Sequence, residues 1–404
     1  MKVLQINSVC GIGSTGRIAT DINNILLDQN HKSYIAYGRE LPKNCDDSIK
    51  IGTKMDNYTH VVKTRLLDKH GFGSKQATIK FLEKLKILDP DIIHLHNIHG
   101  YYINIELLFN YLKEVKKPVV WTLHDCWSFT GHCAYFDYAG CNKWKTECYS
   151  CPEKKEYPSS LLVDNSKNNY TRKKEIFTGV KNLTLVTPSR WLANLVQKSF
   201  LQDYPIEVIN NGIDLNTFRP DKGDFIEEFK LNDKFIILGV ASVWDRRKGL
   251  KYFIELAEKL DHDETIVLVG LTEEQIKQIP DNIIGVTRTN NVEELVNIYS
   301  SADVFVNPTL EDNFPTTNLE ALACGTPVIT FHTGGSIESV DDATGLIVKE
   351  KTSDELYKGI CQIKNQKKAS YEEACLERAR KYYCKVDKYK EYIALYQNIL
   401  DKMD

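Results

Sequence analysis

Short apolar strand patterns alternate with amphipathic helix patterns along the whole chain, and this alternation limits the folds open to it. In the first half, KVLQINSV, DIIHLHN and PVVWTLHD are typical of strands, with helical patterns between them. FIILGVAS, TIVLVG and ADVFVNP continue the pattern in the second half. Strands that alternate with helices form parallel sheets covered on both faces. The sequence therefore predicts an α/β protein with two Rossmann-like, doubly wound parallel-sheet domains that face each other across a cleft.

The turn-rich stretch VINNGIDLNTFRPD separates the two sets of strands. We therefore predict an N-terminal domain at 1–211 and a C-terminal domain at 212–384. A chain of 404 residues is long enough for two domains of ordinary size.

Charge is distributed unevenly between the two halves. Residues 1–210 carry 28 Lys and Arg against 21 Asp and Glu, a balance of +7, and the rest carry 24 against 34, a balance of −10. The net charge of −3 argues against a nucleic-acid-binding protein, which would be basic overall. The basic first half suits contact with anionic lipid headgroups, although a solvated helix face would also explain it. With no membrane-length apolar run and no signal-peptide pattern, we expect a cytoplasmic protein, or one bound peripherally at the inner membrane.

A glycine loop, GIGSTG at 11–16, follows the first strand and opens a helix. It matches the dinucleotide fingerprint G-x-G-x-x-G, and Glu40 follows the next strand, where a ribose-binding acid could lie. One interpretation is thus an oxidoreductase that binds NAD or FAD. The other is a more general anion or sugar site, because bare backbone N–H groups at a helix N-terminus bind such groups. The second half offers no recognisable hydride-transfer partner. We therefore favour the second interpretation and assign Gly13 to a site that binds an anion or a sugar of a donor substrate.

Two polar motifs in the second half follow predicted strands, at the edge where open α/β sheets bind ligands. The first, ASVWDRRKGL, places Arg246, Arg247 and Lys248 before a glycine, which suits a diphosphate site as well as a solvated charge run.

The second motif, LEDNFPTTNLEALACGTPVI, contains acids eight residues apart at Asp312 and Glu320. Pro315 is predicted as the first helical residue, and Thr317 to Glu320 also fits a structural capping box. Carboxylates accept pairs of hydroxyl hydrogen bonds, and helix N-termini attract phosphate, so the motif suits a nucleotide diphosphate sugar. The predicted donor residues of this stretch are Asn313, Phe314, Pro315, Thr316 and Glu320.

These motifs together resemble glycosyltransferase family 4. The stretch DNFPTTNLEALACGTPVI reproduces the Glu-x7-Glu spacing of that family and its G-x-P-V, and INNGID and RKG match further family positions. HLHNIHGYY and TLHDCWSFTGHC resemble members that build bacterial surface polysaccharides such as O-antigen, capsule or exopolysaccharide. The resemblance implies the GT-B fold, and a final helix at 385–404 that returns to the N-terminal domain.

Two positions depart from the family pattern. The first acid is Asp312 rather than Glu, with Glu311 beside it as a substitute. The position five residues before Lys248, where the family usually has Arg, is occupied by Val243. Arg246 or Arg247 must then supply the second phosphate-binding cation.

The resemblance also implies a retaining enzyme that moves a hexose or amino-hexose from a nucleotide diphosphate sugar, with UDP favoured, to a lipid-linked glycan. His124, Lys248 and Asp312 are the implied catalytic residues, and no catalytic metal is expected. Asn97, His99 and Asp125 are candidates for the acceptor site. An NDP-sugar epimerase or hydrolase, and a non-catalytic sugar-nucleotide sensor, remain as alternatives beside the oxidoreductase.

Eleven cysteines are present, and four of them, Cys133, Cys141, Cys148 and Cys151, cluster in a loop-rich insertion at about 126–157. A segment with so little apolar surface needs another source of order, and a four-thiolate structural zinc site would supply it. Free thiols and disulfides are the alternatives, and His132 or Cys126 could replace a ligand. His94, His96 and His99 lack a carboxylate at a useful spacing, so a second metal site there is not favoured.

Overall fold

The computed structural model describes residues 1–221 and 223–403. The chain forms two compact units, Met1–Asn210 with Tyr389–Asp404, and Asn211–Lys388. The predicted boundaries differ slightly from these divisions, at 211 against 210 and at 384 against 388. Among the described residues, no helix combines the length and the apolar character needed to cross a membrane.

The first unit is built on a seven-stranded sheet with the order β3-β2-β1-β4-β5-β6-β7, in which every neighbouring pair is parallel. Its strands are β1 (Lys2–Asn7), β2 (Lys32–Tyr37), β3 (Ser48–Lys50), β4 (Ile92–Leu95), β5 (Val119–Thr122), β6 (Leu183–Thr187) and β7 (Ile206–Val208). Its helices are α1 (Gly13–Asp28), α2 (Lys54–Leu67), α3 (Lys75–Leu88), α4 (Ile105–Val115), α5 (Ser166–Phe177) and α6 (Arg190–Val196).

Both faces of this sheet are buried, which explains its nearly continuous apolar strands. Val3 packs with α1 on one face, whereas Leu4 and Ile6 belong to a separate apolar cluster. This division follows from the two-residue period of a strand.

The second unit repeats the architecture with a six-stranded sheet in the order β10-β9-β8-β11-β12-β13, again entirely parallel. Its strands are β8 (Phe235–Val240), β9 (Glu264–Val269), β10 (Ile283–Val286), β11 (Val304–Asn307), β12 (Val328–Phe331) and β13 (Gly345–Val348). Its helices are α7 (Phe225–Glu228), α8 (Leu250–Ala257), α9 (Glu273–Ile276), α10 (Val292–Ser301), α11 (Thr316–Ala323), α12 (Ser353–Gln366) and α13 (Glu372–Tyr383). The predicted pair of doubly wound parallel sheets is confirmed.

The last helix, α14 (Lys385–Asp401), begins in the second unit and continues in the first. Tyr389, Tyr392 and Tyr396 recur along it at helical spacing and are buried against the face of the first sheet that contains Val3. The Tyr396 hydroxyl lies 2.6 Å from Nδ1 of His94 on β4, so a polar contact as well as apolar packing fixes this helix.

In each sheet the strand order reverses at one point, between β1 and β4 in the first unit and between β8 and β11 in the second. Open α/β sheets bind their ligands beyond the carboxyl ends of the strands at such a point. The glycine loop follows β1, and the Arg-Arg-Lys and Asp312 motifs follow β8 and β11. The fold therefore places the predicted motifs at the two switch points.

Candidate active site

In the second unit, the cations after β8 meet the acids after β11. Lys248 Nζ lies 2.5 Å from Asp312 Oδ2, and both side chains are largely shielded from solvent. Arg247 Nη1 donates to the Glu311 carbonyl oxygen at 2.9 Å and lies 4.0 Å from Asp312 Oδ2. The structure thus brings two of the three predicted cations to Asp312. Arg246, on the same short 3-10 helix, is exposed.

Gly249 makes this approach possible. Its φ is +77°, and a Cβ there would lie 2.3 Å from the Pro308 carbonyl oxygen, so a larger residue would push the two loops apart. Val243, at the position of the family arginine, is 62% exposed and offers no cation. Arg247 is consequently the second positive charge nearest to Asp312.

A glycine pair after β12 completes this site, and sequence reasoning missed it. The Gly335 N–H donates to the Asp312 carbonyl oxygen at 3.2 Å, and a Cβ on Gly334 would lie 2.0 Å from the same oxygen. In the same loop, the buried Thr333 hydroxyl finds no hydrogen-bond partner within the described part of the chain. The signal was present in the sequence as Gly-Gly, which His332 and Thr333 separate from the strand pattern TPVITF.

Helix α11 begins at Thr316, and Pro315 is its N-cap with extended backbone, so the prediction of Pro315 as the first helical residue was wrong by one position. No side chain caps this helix, which contradicts the Thr317–Glu320 capping box. Pro315 has no N–H and no polar side chain, so the amides of the first turn rely on other partners. An uncapped N-terminus carries a partial positive charge of roughly half a unit.

Glu320 lies inside α11 and is buried, and its Oε2 accepts a hydrogen bond of 2.9 Å from the Tyr299 hydroxyl. This contact fixes the carboxylate. Asn318 Nδ2 donates to the hydroxyls of Ser336 and Ser339, so the helix is fastened to the segment that follows the glycine pair. Sequence reasoning had not identified Tyr299 or the serines.

The remaining predicted donor residues differ in what their side chains contact. Asn313 is buried beside Asp312, and Thr316 opens the helix half-buried. Phe314 instead packs edge-on against Tyr383, with ring centroids 5.9 Å apart, inside the apolar core of the second unit. Its side chain therefore orders the loop.

In the first unit, the four predicted residues Asn97, His99, His124 and Asp125 line one cavity beyond β4 and β5. His99 Nε2 lies 2.9 Å from Asp125 Oδ2, and its Nδ1 lies 3.0 Å from the Tyr157 hydroxyl. Burial raises the pKa of Asp125, but the neighbouring His99 and the N–H of Trp127 more than offset this and hold the pKa below its usual value. Asp125 is therefore an ionised carboxylate in this cavity.

A chain of hydrogen bonds fixes the ring of His124. Gln5 Nε2 donates to the Ala19 carbonyl, so its Oε1 faces His96 Nε2 at 3.0 Å and can only accept. His96 must then donate through Nε2, which leaves its Nδ1 to accept from His124 Nε2 at 3.1 Å. The network assigns the proton of neutral His124 to Nε2 and the lone pair to Nδ1.

Burial is the main cause that lowers the pKa of His124, to about 4, and it lowers that of His96 well below the ordinary value. Both rings are neutral near pH 7. His94 contacts Thr122 Oγ1 at 2.8 Å through Nε2 and Tyr396 through Nδ1, so both nitrogens serve the packing of the fold.

The glycine loop of the first unit closes through a hydrogen bond from Gly11 N–H to the Gly16 carbonyl. A Cβ on Gly11 would lie 2.0 Å from the Lys43 carbonyl oxygen, whereas a Cβ on Gly13 would meet no atom within 4 Å. Gly13 begins α1, whose N-cap Ile12 makes no side-chain hydrogen bond. The loop is therefore open at Gly13, where a ligand would need close approach to backbone.

The cysteine-rich insertion contains only two short 3-10 helices, Trp127–Phe129 and Lys143–Lys145. Its four clustered cysteines border one cavity together with His132, and none of the eleven cysteines, all within the described residues, forms a disulfide. Over the residues the structure describes, the one set of three potential ligand atoms within 4.8 Å of one another belongs to Asp261, Asp263 and Glu264. The four sulfurs share a cavity without converging on one point.

Comparison with known proteins identifies the family. The sequence model of Glycosyltransferase Family 4 matches residues 16–217, half of the chain, and that of Glycosyl transferases group 1 matches residues 234–366. A relative from Escherichia coli strain K12, the putative colanic acid biosynthesis glycosyl transferase WcaC, is 25% identical over 99% of this chain and 100% of its own length. The N,N'-diacetylbacillosaminyl-diphospho-undecaprenol alpha-1,3-N-acetylgalactosaminyltransferase of Campylobacter jejuni is 28% identical over 44% of this chain and 50% of its own.

Solved structures show the same fold. Sucrose-phosphate synthase from Thermosynechococcus elongatus superposes with a TM-score of 0.74 at 16% identity and covers 100% of both chains. Anabaena Alr3699/HepE, solved in complex with UDP, gives a TM-score of 0.69 at 14% identity, over 98% of this chain and 100% of that one. The chain belongs to glycosyltransferase family 4, and it is a glycosyltransferase of the GT-B fold.

Proposed function

We propose that this enzyme transfers a hexose or amino-hexose from a UDP-linked donor to a lipid-linked glycan acceptor, with retention of the anomeric configuration, during synthesis of a bacterial surface polysaccharide. The observation that carries the proposal is the cluster of Lys248, Arg247 and Asp312 at the switch point of the second sheet, beside the uncapped start of α11.

Departure of a nucleoside diphosphate needs positive charge at the phosphates. Lys248 and Arg247 can supply it, together with the N-terminal amides of α11 and the Gly334–Gly335 loop. Such preorganised groups act in a shielded site without reorganising at the moment of reaction. We therefore propose that transfer proceeds without a catalytic metal ion.

The acids have separate proposed roles. Asp312 orients Lys248 and accepts a hydrogen bond from a hydroxyl of the transferred sugar, and Glu320, fixed by Tyr299, accepts from the ribose. The UDP complexes of the HepE structure support the choice of nucleotide.

In the first unit, His124 is neutral and held in one tautomer, so we propose that it hydrogen-bonds to the donor sugar without transferring a proton. The Asp125 carboxylate, beside His99 and Asn97, is the proposed site for an acceptor hydroxyl. The undecaprenol-linked acceptor named for the Campylobacter relative supports a lipid-linked glycan.

A surface of the first unit suits binding to the membrane that holds such an acceptor. Exposed apolar side chains recur along α2 at Met55, Tyr58, Val62 and Leu66. Leu161, Leu162 and Val163 are also exposed, and Leu161 N–H donates to the Arg65 carbonyl near the end of α2, so the two groups adjoin. Exposed Lys54, Lys63 and Lys69 lie on or next to α2. We propose that this apolar and basic surface binds anionic lipid headgroups peripherally.

The test is a screen of the purified enzyme against UDP-sugars, GDP-sugars and NAD, with melting temperature and nucleotide release as readouts. We expect one UDP-sugar to stabilise the enzyme, and Lys248→Ala and Glu320→Ala to abolish that shift. Lys251→Ala is the matched control, because Lys251 is an exposed lysine on α8 outside the cluster. Stabilisation by NAD that Lys248→Ala leaves intact would refute the proposal.

A further inference from the structure

The cysteine-rich insertion encloses buried ligand groups that sugar transfer does not use. Cys133, Cys148 and Cys151 line its cavity with Cys141 and His132. Cys133 and Cys148 are buried, and the Cys133 thiol hydrogen-bonds to the Cys151 sulfur. The Gly131 N–H donates to the Cys148 sulfur at 3.2 Å. An amide that points at a sulfur stabilises negative charge there, as a metal-bound thiolate requires.

His132 presents an unsatisfied nitrogen within the same insertion. Its side chain is completely buried, and Nδ1 lies 2.5 Å from Asp68 Oδ1. The other oxygen of Asp68 accepts the N–H of Asn165 at 2.8 Å, so both carboxylate oxygens are engaged, and Asn169 Nδ2 donates to the backbone carbonyl of the same residue. A carboxylate of this kind accepts, so the neutral ring of His132 carries its proton on Nδ1 and its lone pair on Nε2.

His132 Nε2 is buried and has no hydrogen-bond partner among the residues that the structure describes. A buried polar atom left unpaired is costly, so the fold would be expected to provide it with a partner. Metal-bound histidines usually donate their second ring N–H to a carboxylate, which is how Asp68 holds this ring.

The backbone around these groups has little regular structure. Between the end of β5 at Thr122 and the start of α5 at Ser166, a range that the structure describes in full, the only regular elements are the short 3-10 helices Trp127–Phe129 and Lys143–Lys145. Connections of this length that lack secondary structure are uncommon in compact domains. A structural metal can order such a segment, because its binding free energy becomes folding free energy.

We propose that the insertion binds one structural Zn²⁺ through the thiolates of Cys133, Cys148 and Cys151 and through Nε2 of His132. Three sulfurs and one imidazole nitrogen form a ligand set that suits zinc. The ligand atoms are not gathered within 4.8 Å, so binding must draw the side chains inward. Cys141 remains a thiol at the edge of the cavity.

The zinc would act on catalysis by position alone. Tyr157, in the same insertion, contacts His99 Nδ1, and its carbonyl accepts the Ala134 N–H at 3.3 Å. Loss of zinc would therefore loosen a wall of the proposed acceptor cavity while the Lys248 cluster, in the other unit, stays intact. This consequence rests on the proposed function, whereas the zinc site itself does not.

The direct test is metal analysis and zinc-edge X-ray absorption on the full-length enzyme, purified with reductant and without added metal. We expect about one zinc per chain, with three Zn–S distances near 2.3 Å and one Zn–N distance of roughly 2.0–2.1 Å. Four Zn–S distances and no Zn–N distance would overturn the assignment of His132. A zinc content below about a tenth per chain, in protein that is folded, would overturn the site.

Variants give an independent readout. Cys148→Ser should lose the zinc and lower the melting temperature, whereas Cys361→Ser, a half-buried thiol on α12 of the second unit, should retain both. Zinc removal should leave UDP affinity within about twofold of the wild type and reduce transfer to the acceptor. Full zinc occupancy in an enzyme that binds no UDP would refute the proposed function alone. Zinc retained in Cys148→Ser would refute the zinc site alone.

Discussion

Asp312→Asn is expected to strengthen UDP binding while it impairs sugar transfer. The Asp312 carboxylate lies 2.5 Å from Lys248 Nζ, which the diphosphate also needs. The substitution keeps the size of the side chain but removes its charge. Lys248 then becomes fully available to the phosphates, and the carboxylate no longer repels them. The hydroxyl contact that we assign to Asp312 is weakened at the same time.

The expected size of the change in UDP affinity follows from the burial of the Lys248–Asp312 pair. The side chains of Lys248 and Asp312 are 19% and 11% exposed, so solvent screens their attraction only in part. The attraction between Lys248 and Asp312 opposes UDP binding by about 1 kcal/mol, after a discount for solvent screening and for the part of the contact that persists in the UDP complex. Its removal should therefore raise the affinity for UDP roughly fivefold. A hydrogen bond to a charged group contributes about 1.5–3 kcal/mol, so kcat/KM for transfer should fall by roughly 10- to 100-fold.

Isothermal titration with UDP and a transfer assay with the UDP-sugar measure the two effects separately. Asp342→Asn, which removes an exposed acid elsewhere in the second unit, controls for the change in net charge. Opposite shifts of UDP affinity and kcat/KM are expected only for Asp312→Asn. Weaker UDP binding in this variant would show that the carboxylate supports the phosphate site, and the reasoning would be wrong.

Three further results are expected. Burial holds the pKa of His124 near 4 in the folded state, against about 6.5 in the unfolded state. The contribution of this residue to stability is therefore complete above pH 6.5 and is lost towards pH 4. The melting temperature should accordingly fall less steeply over this pH range in His124→Gln than in the wild type. Tyr299→Phe removes the donor to Glu320, so stability should fall by about 1 kcal/mol and UDP affinity several-fold, whereas unchanged UDP affinity would argue against a ribose contact by Glu320. Leu162→Glu should reduce co-sedimentation with anionic vesicles but leave UDP binding unchanged, and undiminished co-sedimentation would exclude the apolar surface around α2 as the binding site.

The sequence predicted the fold because parallel sheets covered on both faces require continuous apolar strands. It also predicted which loops carry the candidate site residues, since the motifs follow predicted strands and such loops meet at one edge of a sheet. Asn97, His99, His124 and Asp125 could therefore be grouped before their cavity was seen. The start of α11 was misplaced because Pro315 fits both the N-cap and the first helical position.

Contacts between distant elements could not be predicted. The tautomer of His124 depends on Gln5, which lies on β1, and on His96, which directly follows β4; the two meet because β1 and β4 are neighbours in the sheet. The pairing of His132 with Asp68 joins residues 64 positions apart, and no local pattern indicates it. The same holds for Tyr299 and Glu320. In each case the partner is selected by topology rather than by spacing.

The most direct test of the central claim is to follow the reaction of the stabilising UDP-sugar and a lipid-linked glycan by NMR, observing the anomeric proton of the transferred sugar. The account predicts that the sugar leaves UDP and appears on the acceptor with the same anomeric configuration, and that Lys248→Ala abolishes this transfer. A product of inverted configuration, or sugar released only into water, would contradict it.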